Sequence, residues 1–144
     1  MTPSDIHPCL TYDDAPAAIE WLCRAFGFRA RLVVPGPDGT VLHSELSLGS
    51  GVVMVSSPKP EAGRFAPRGG KALAASISVC VPDPDAHCAR ARAAGAHIVR
   101  ELRDEEYGAR GYGVVDLEGH QWYFGDYRPG AYWDGSQPIE SPEA

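Results

Sequence analysis

Asp116-Leu117-Glu118-Gly119-His120-Gln121-Trp122-Tyr123-Phe124 reads as a tight turn opening into an alternating strand, and Leu48-Gly49-Ser50-Gly51-Val52-Val53 reads the same way. Leu48 and Leu117, Ser50 and Gly119, and Val53 and Trp122 all stand 69 residues apart, while Gly27 and Gly95, each ending a helical stretch, stand 68 apart. A near-constant offset marks an internal repeat, with one residue gained or lost between helix and hairpin. Identity between the halves is low, so the order of elements carries the argument.

Working outward, Ile6 to Tyr12 alternates as a strand, Asp13 or Asp14 supplies a helix N-cap, and Pro16 lies near the first turn. Ile19, Leu22, Cys23 and Phe26 then fall at helical spacing until Gly27. Phe28 to Val34, Val41 to Leu48 and Val52 to Ser56 read as strands, with a Pro-Gly turn at 35–39. After a linker rich in Pro, Gly and charge, the order returns. Ser76 to Val81 is a strand, about Asp85 to Ala94 a helix, and His97 to Leu102, Gly111 to Leu117 and Gln121 to Tyr127 are strands. The expectation is one α+β domain over 1–144, made of two tandem βαβββ units. Unit one covers about 5–58, the linker about 59–71, unit two about 72–128, and a tail with Trp133 covers 129–144.

Composition narrows the function. The chain has 144 residues, 44% of them hydrophobic and 22% charged, which suits one globular domain and argues against disorder. Its net charge is −6, and its densest basic stretch, Arg90, Arg92 and Arg100, is broken up by alanines and followed by Glu101, Asp104, Glu105 and Glu106, so nucleic acid is not an expected partner. The longest apolar runs, such as Val52-Val53-Met54-Val55, are too short to cross a membrane as a helix. The start, MTPSDIHP, lacks the pattern of a secretory signal, and Cys9, Cys23, Cys80 and Cys88 show no CxxC spacing. Free thiols in a cytoplasmic protein are expected. No phosphate loop, nucleophile elbow or Ser-His-Asp spacing is visible.

The duplication resembles the vicinal oxygen chelate superfamily, which includes glyoxalase I, extradiol dioxygenases, fosfomycin-resistance enzymes and bleomycin-binding proteins. The hairpin at Asp116 to Phe124 is similar to the family's Asp-Pro-x-Gly hairpin, with Leu117 where proline is usual. Asp13-Asp14 before the first helix and Ala25 to Phe28 ("AFGF") add to the likeness. The resemblance implies curled mixed sheets around a cavity, the helices covering the opposite face of each sheet.

Strand alternation then sorts the side chains. Ile6, Leu10, Tyr12, Leu42, Leu46, Leu48, Val53, Val55, Trp21 and Trp122 suit the core. His7, Cys9, Thr11, His43, Glu45, Ser47, Val52, Met54 and Ser56 are left for the cavity in unit one. Ser76, Ser78, Tyr112, Val114, Gln121 and Tyr123 are the matching set in unit two. From these, His7, Cys9, His43, Glu45, Met54, Ser76, Tyr112, Gln121 and Tyr123 are the candidate ligand contacts, Tyr112 and Tyr123 suiting a planar or aromatic molecule. Phe65, Tyr107 and Arg110 are read as rim residues, Asp104-Glu105-Glu106 as a solvated loop, and His120 as a solvent-facing turn residue.

Metal enzymes of the superfamily place ligands at positions that fall here on His7, Met54, Ser76 and Tyr123. Only His7 is a strong donor for hard or borderline divalent ions, so glyoxalase I chemistry is not expected and no cofactor is favoured. A rearranged divalent-metal set of His7, His43 and Glu45 is the alternative. The first reading is a bleomycin-resistance-like protein that sequesters a small molecule and forms a homodimer. Its rival is an enzyme of the same superfamily, metal-dependent at the rearranged site or metal-free with Glu45 as catalytic base.

Overall fold

A computed structural model of the chain describes residues 5–68, 75–106 and 108–129. Unit one runs β1 (Cys9–Thr11), α1 (Ala15–Phe26), β2 (Arg29–Pro35), β3 (Val41–Leu48) and β4 (Gly51–Ser56). Unit two runs β5 (Ile77–Cys80), α2 (Pro84–Ala93), β6 (His97–Asp104), β7 (Arg110–Val115) and β8 (Gln121–Gly125). The strand orders are β1-β4-β3-β2 and β5-β8-β7-β6. In each sheet the first strand pairs in parallel with the last and the other pairs are antiparallel. The protein is therefore α+β, with two tandem units whose mixed sheets stay open. Trp133 and Tyr107 lie outside the described residues.

The helices form for different reasons. The Asp14 carboxylate caps α1 by accepting from the Ala17 amide, Pro16 sits in the first turn, and Gly27 ends it at φ 88°. Its buried side, Ala18, Ile19, Trp21, Leu22, Ala25 and Phe26, is a continuous apolar stripe. Asp83 caps α2 in the same way through the Ala86 amide, but α2 buries only Pro84, Cys88 and Ala91. Too little apolar area holds α2 on its own, so polar bonds complete its docking. Arg110 grips Asp85 with two bonds of 2.9 Å. Arg90 donates to the carbonyls of Arg24 and Cys23 at 3.0 and 3.2 Å at the C-terminus of α1, the second of which also takes the Gly27 amide.

One core serves both units. The Phe26 ring of α1 lies 4.7 Å from Phe124 and 5.3 Å from Trp122, and Phe28 lies 5.6 Å from Trp122. The hairpin after Asp116 clamps the start of unit one. Asp116 accepts from Tyr12 Oη at 2.5 Å, Trp122 Nε1 at 3.0 Å, and the amides of Glu118, Gly119 and His120 at 3.0–3.1 Å. Burial, and next the Asp116 carboxylate, push the Tyr12 hydroxyl well above its ordinary value, so it remains a donor. Glu118 accepts from the amides of Asp13 and Asp14 at 2.6 and 2.8 Å, at the N-terminus of α1 where a carboxylate is favoured. His120 donates to the Thr11 carbonyl at 2.8 Å and leans on the Tyr12 ring, so it is a junction residue and not a solvent-facing one.

Alternation misplaces a few core residues. Ile6 precedes β1 and is 95% exposed, because the strand is only three residues long. Leu42 is half exposed, because the register shift between Val34 and Pro35 turns Val41 into the core instead.

Candidate functional site

Each sheet has one face turned to the shared core and one open face. On the open face of unit one, Cys9, Met54, Glu45 and Leu32 form a row in cross-strand register. Glu45 bonds His43 at 2.9 Å, both side chains about 40% exposed. Cys9 is exposed and Met54 half-buried. Thr11 and Ser56 are buried at the far end of this face, and Ser56 Oγ is the buried side-chain polar atom left without a partner among the described residues. An orphan hydroxyl of this kind is costly unless a guest satisfies it.

His7 shares this face but not this place. Its Nδ1 lies 3.3 Å from the Val52 carbonyl, in the row that Val52 shares with Ser47. His43 is four residues further along β3, roughly 13 Å away at strand rise. The expected set of His7, His43 and Glu45 is therefore not brought together. Parallel pairing of β1 with β4 carries His7 to the opposite end of the sheet from His43. Among the described residues no three His, Cys, Asp or Glu side chains gather as a metal cluster.

On the open face of unit two, Ser78, Tyr123, Gly113 and Arg100 form the corresponding row. Tyr123 lies flat across two glycines. A Cβ at Gly111 would stand 2.3 Å from Tyr123 Oη and 2.7 Å from the Phe124 carbonyl, and one at Gly125 would stand 2.9 Å from Tyr123 Cε1. The Arg100 guanidinium sits 5.4 Å from the Tyr123 centroid, within cation–π range. Glu105 closes this cluster, paired with Arg100, 3.5 Å from Arg103 and accepting from Tyr123 Oη at 3.5 Å. Gln121 lies half-buried beside Val115 at one end of the face, and Ser76 is exposed just before β5.

Gly111→Ala is expected to lower stability by about 1–3 kcal/mol and to lift Tyr123 from its seat, because backbone as well as ring must give way. A urea midpoint within error of wild type would show that the floor is looser than the contacts imply.

Three expectations need correction. Tyr112 and Val114 do not line a cavity: Tyr112 pairs with Phe124 and Val114 with Trp122, and all four are buried on the core face. Gly111 and Gly113 alternate with them and take the open face. Glu105 is no solvated loop residue, its side chain being 9% exposed because Arg100 and Arg103 fold over it. Arg110 is tied to Asp85 and Asp104 instead of standing on a rim, while Phe65 is exposed. Arg100 and Glu105 escaped the sequence reading. Two basic residues three apart on a strand, Arg100 and Arg103, followed by a carboxylate run, were the available signal.

The four positions at which the resemblance places metal ligands, His7, Met54, Ser76 and Tyr123, carry side chains that do not suit a divalent ion. The donors are one imidazole, one thioether and two neutral hydroxyls, and the Tyr123 hydroxyl already points at Glu105. A recess of about 380 Å³ between Pro37, Leu42, Ser57, Lys59 and Glu61 contains none of the candidate residues.

Comparison with known proteins gives consistent answers. Residues 6–124 match the family model described as the Glyoxalase/Bleomycin resistance protein/Dioxygenase superfamily. An uncharacterized protein of Mycobacterium tuberculosis is 36% identical over 129 residues, covering 83% of this chain and 72% of that one. The crystal structure of TioX from Micromonospora sp. ML1 is 40% identical with a TM-score of 0.69, covering 85% of this chain and 94% of that chain. The fosfomycin resistance protein FosX from Mesorhizobium loti shares the fold at 13% identity and a TM-score of 0.66, covering 92% of this chain and 98% of that chain.

Proposed function

Because the chain belongs to the glyoxalase/bleomycin resistance protein/dioxygenase superfamily, we propose that it is a small-molecule binding protein that holds its ligand on the open sheet faces. What carries this reading is the chemistry of the side chains where the resemblance expects metal ligands: Met54, Ser76 and Tyr123 are poor partners for a divalent ion. Two further features support it. Exposed Cys9 and half-buried Met54 and Glu45 form one row on the first open face, and Tyr123 with Arg100 and Glu105 offers a flat, polar patch on the second, suited to a planar aromatic group.

The two units share their core through the helix-bearing faces, so neither covers the open face of the other. A second copy of the chain would bring the open face of one protomer's first sheet against that of its partner's second sheet. We therefore read the protein as a homodimer whose ligand sits between copies, and the biological role as sequestration, which needs no chemistry. Superfamily members bind small molecules and commonly dimerise. The four unpaired cysteines suit a reducing cytoplasm.

Tryptophan-fluorescence titration with bleomycin and with acridine tests the reading, alongside sedimentation and elemental analysis. Saturable quenching is expected in a dimer that holds no stoichiometric transition metal. Glu45→Ala and Tyr123→Ala should each weaken binding about tenfold, or roughly 1.4 kcal/mol. A monomer carrying one metal ion per chain would overturn it.

A second reading rests on the His43–Glu45 pair, which is a histidine oriented by a carboxylate on the same open face. It makes the protein a metal-free lyase or isomerase with Glu45 as base. Under that reading Glu45→Ala abolishes turnover while ligand affinity changes little, the opposite balance to a binding protein.

A further inference from the structure

His87 is a titratable group that the ligand faces do not use. It projects from α2 into the seam between the units and sits under cover, its ring 4.1 Å from Phe124 and 6.2 Å from Phe26. Nε2 lies 2.8 Å from the Phe26 carbonyl and Nδ1 lies 2.6 Å from Tyr112 Oη. A carbonyl can only accept, so Nε2 carries the hydrogen and Nδ1 accepts from the tyrosine. The neutral ring thus satisfies one partner in each unit and takes the Tyr112 hydroxyl hydrogen, whereas a doubly protonated ring could keep the tyrosine only as an acceptor. A second proton on Nδ1 would set two donors against each other unless the buried hydroxyl turned away.

The groups around it offer no compensation for a positive charge. On α2 the nearby charge is Arg90, itself a cation. The first helix faces the ring with the Phe26 carbonyl, β7 with the Tyr112 hydroxyl and β8 with the Phe124 ring. Among the described residues no carboxylate pairs with it. We propose that His87 is a proton-operated latch between the units: neutral, it ties α1 to β7, and protonated, it releases Tyr112 and loosens the junction that holds the two sheets in their relative places.

The electrostatics agree in sign. Burial holds the imidazole below its ordinary value of 6.5, outweighing the opposing effect of the Phe26 carbonyl, and Arg90 adds a weaker push in the same direction as burial. The unfolded chain takes up a proton near that ordinary value while the native chain resists. The latch therefore contributes fully above pH 6.5, and its contribution drains as pH falls through the native value. The proposal concerns the junction and stands whether or not the ligand reading does.

The test is an NMR titration of the His87 ring in the full chain, with thermal unfolding of wild type and His87→Gln from pH 8 to pH 5. Expected are an unprotonated Nδ1 at pH 6.5 and a wild-type Tm falling by roughly 4 °C more than the variant's for each unit of depression. The Trp21 indole proton, bonded across the seam to the Ala94 carbonyl at 3.1 Å, should shift along the His87 titration curve. A His87 midpoint at or above 6.5, equal acid slopes in the two proteins, or a Trp21 signal indifferent to the titration would each overturn the latch. If His87→Gln does not fold, the ring and Trp21 titrations of wild type decide alone.

Discussion

Asp116→Ala is expected to cost about 3–5 kcal/mol, enough to unfold much of a protein of ordinary stability. The carboxylate is buried, and its charge is tolerated because five donors converge on it. One oxygen takes three turn amides and fixes the hairpin between β7 and β8, while the other takes Tyr12 from unit one and Trp122 from unit two. Truncation leaves the Tyr12 hydroxyl and the Trp122 indole buried without their acceptor, each a penalty of about 1–3 kcal/mol. Asp116→Asn separates charge from geometry. Its oxygen can keep the three amides, and its amino group can donate to Tyr12 once that hydroxyl rotates. The same amino group then confronts the Trp122 donor, so a loss of roughly 1–3 kcal/mol remains. Urea unfolding of the two variants should rank Ala well below Asn, which lies below wild type. Equal midpoints for Ala and wild type would remove the hairpin from its role as clamp.

The Asp116 hairpin also shows how much the sequence disclosed. Its turn and its repeat partner at Leu48 were legible because turn chemistry and alternation are local, and β3 runs over Val41–Leu48 as the pattern indicates. Gly27 stops α1 in the left-handed region that its position after Phe26 implies. What the hairpin touches was not legible. Glu118 reaches the amides of Asp13 and Asp14, more than a hundred residues away in sequence, and no local pattern records that meeting.

The candidate site follows the same division. Alternation correctly separates Glu45 and His43 from Leu46, since neighbours in a strand point to opposite faces. It cannot say which of two alternating sets meets the helix, and Tyr112 and Val114 were assigned to the wrong one. The discriminating fact was chemical: Gly111 and Gly113 have no side chains with which to build a core. His7 and His43 could be assigned to one face, but their separation depends on which strand β1 pairs with and in which direction. Glu105 was hidden because a run of carboxylates normally faces water, and only the tertiary approach of Arg100 and Arg103 buries it. His87 carries no sequence signal, because its partners are a carbonyl 61 residues before it and a hydroxyl 25 residues after it.

Phe26→Ala should lower stability by about 3–5 kcal/mol and, more tellingly, uncouple the two units. The ring is fully buried, with Trp21 of its own unit at 5.0 Å and with Trp122 and Phe124 of the other unit at 5.3 and 4.7 Å. Aromatic neighbours on several sides cannot collapse into the space a methyl leaves, so both the transfer loss and the cavity penalty apply. Leu46 is also fully buried, its strand neighbours Ala30 and Val53 both belong to unit one, and Leu46→Ala is expected to cost about 2–5 kcal/mol while leaving the aromatic contacts of the seam in place. Similar losses should therefore have different forms. Leu46→Ala should unfold in one step, with far-ultraviolet circular dichroism and tryptophan fluorescence changing together. Phe26→Ala should separate the two signals, because the polar bonds that remain across the seam, from Arg90, His87, Trp21 and the Asp116 hairpin, do not replace the apolar contact of the ring with Trp122 and Phe124. Coincident transitions in Phe26→Ala, with a loss under about 1 kcal/mol, would mean that the seam is held by polar contacts and that the shared aromatic core is incidental to it.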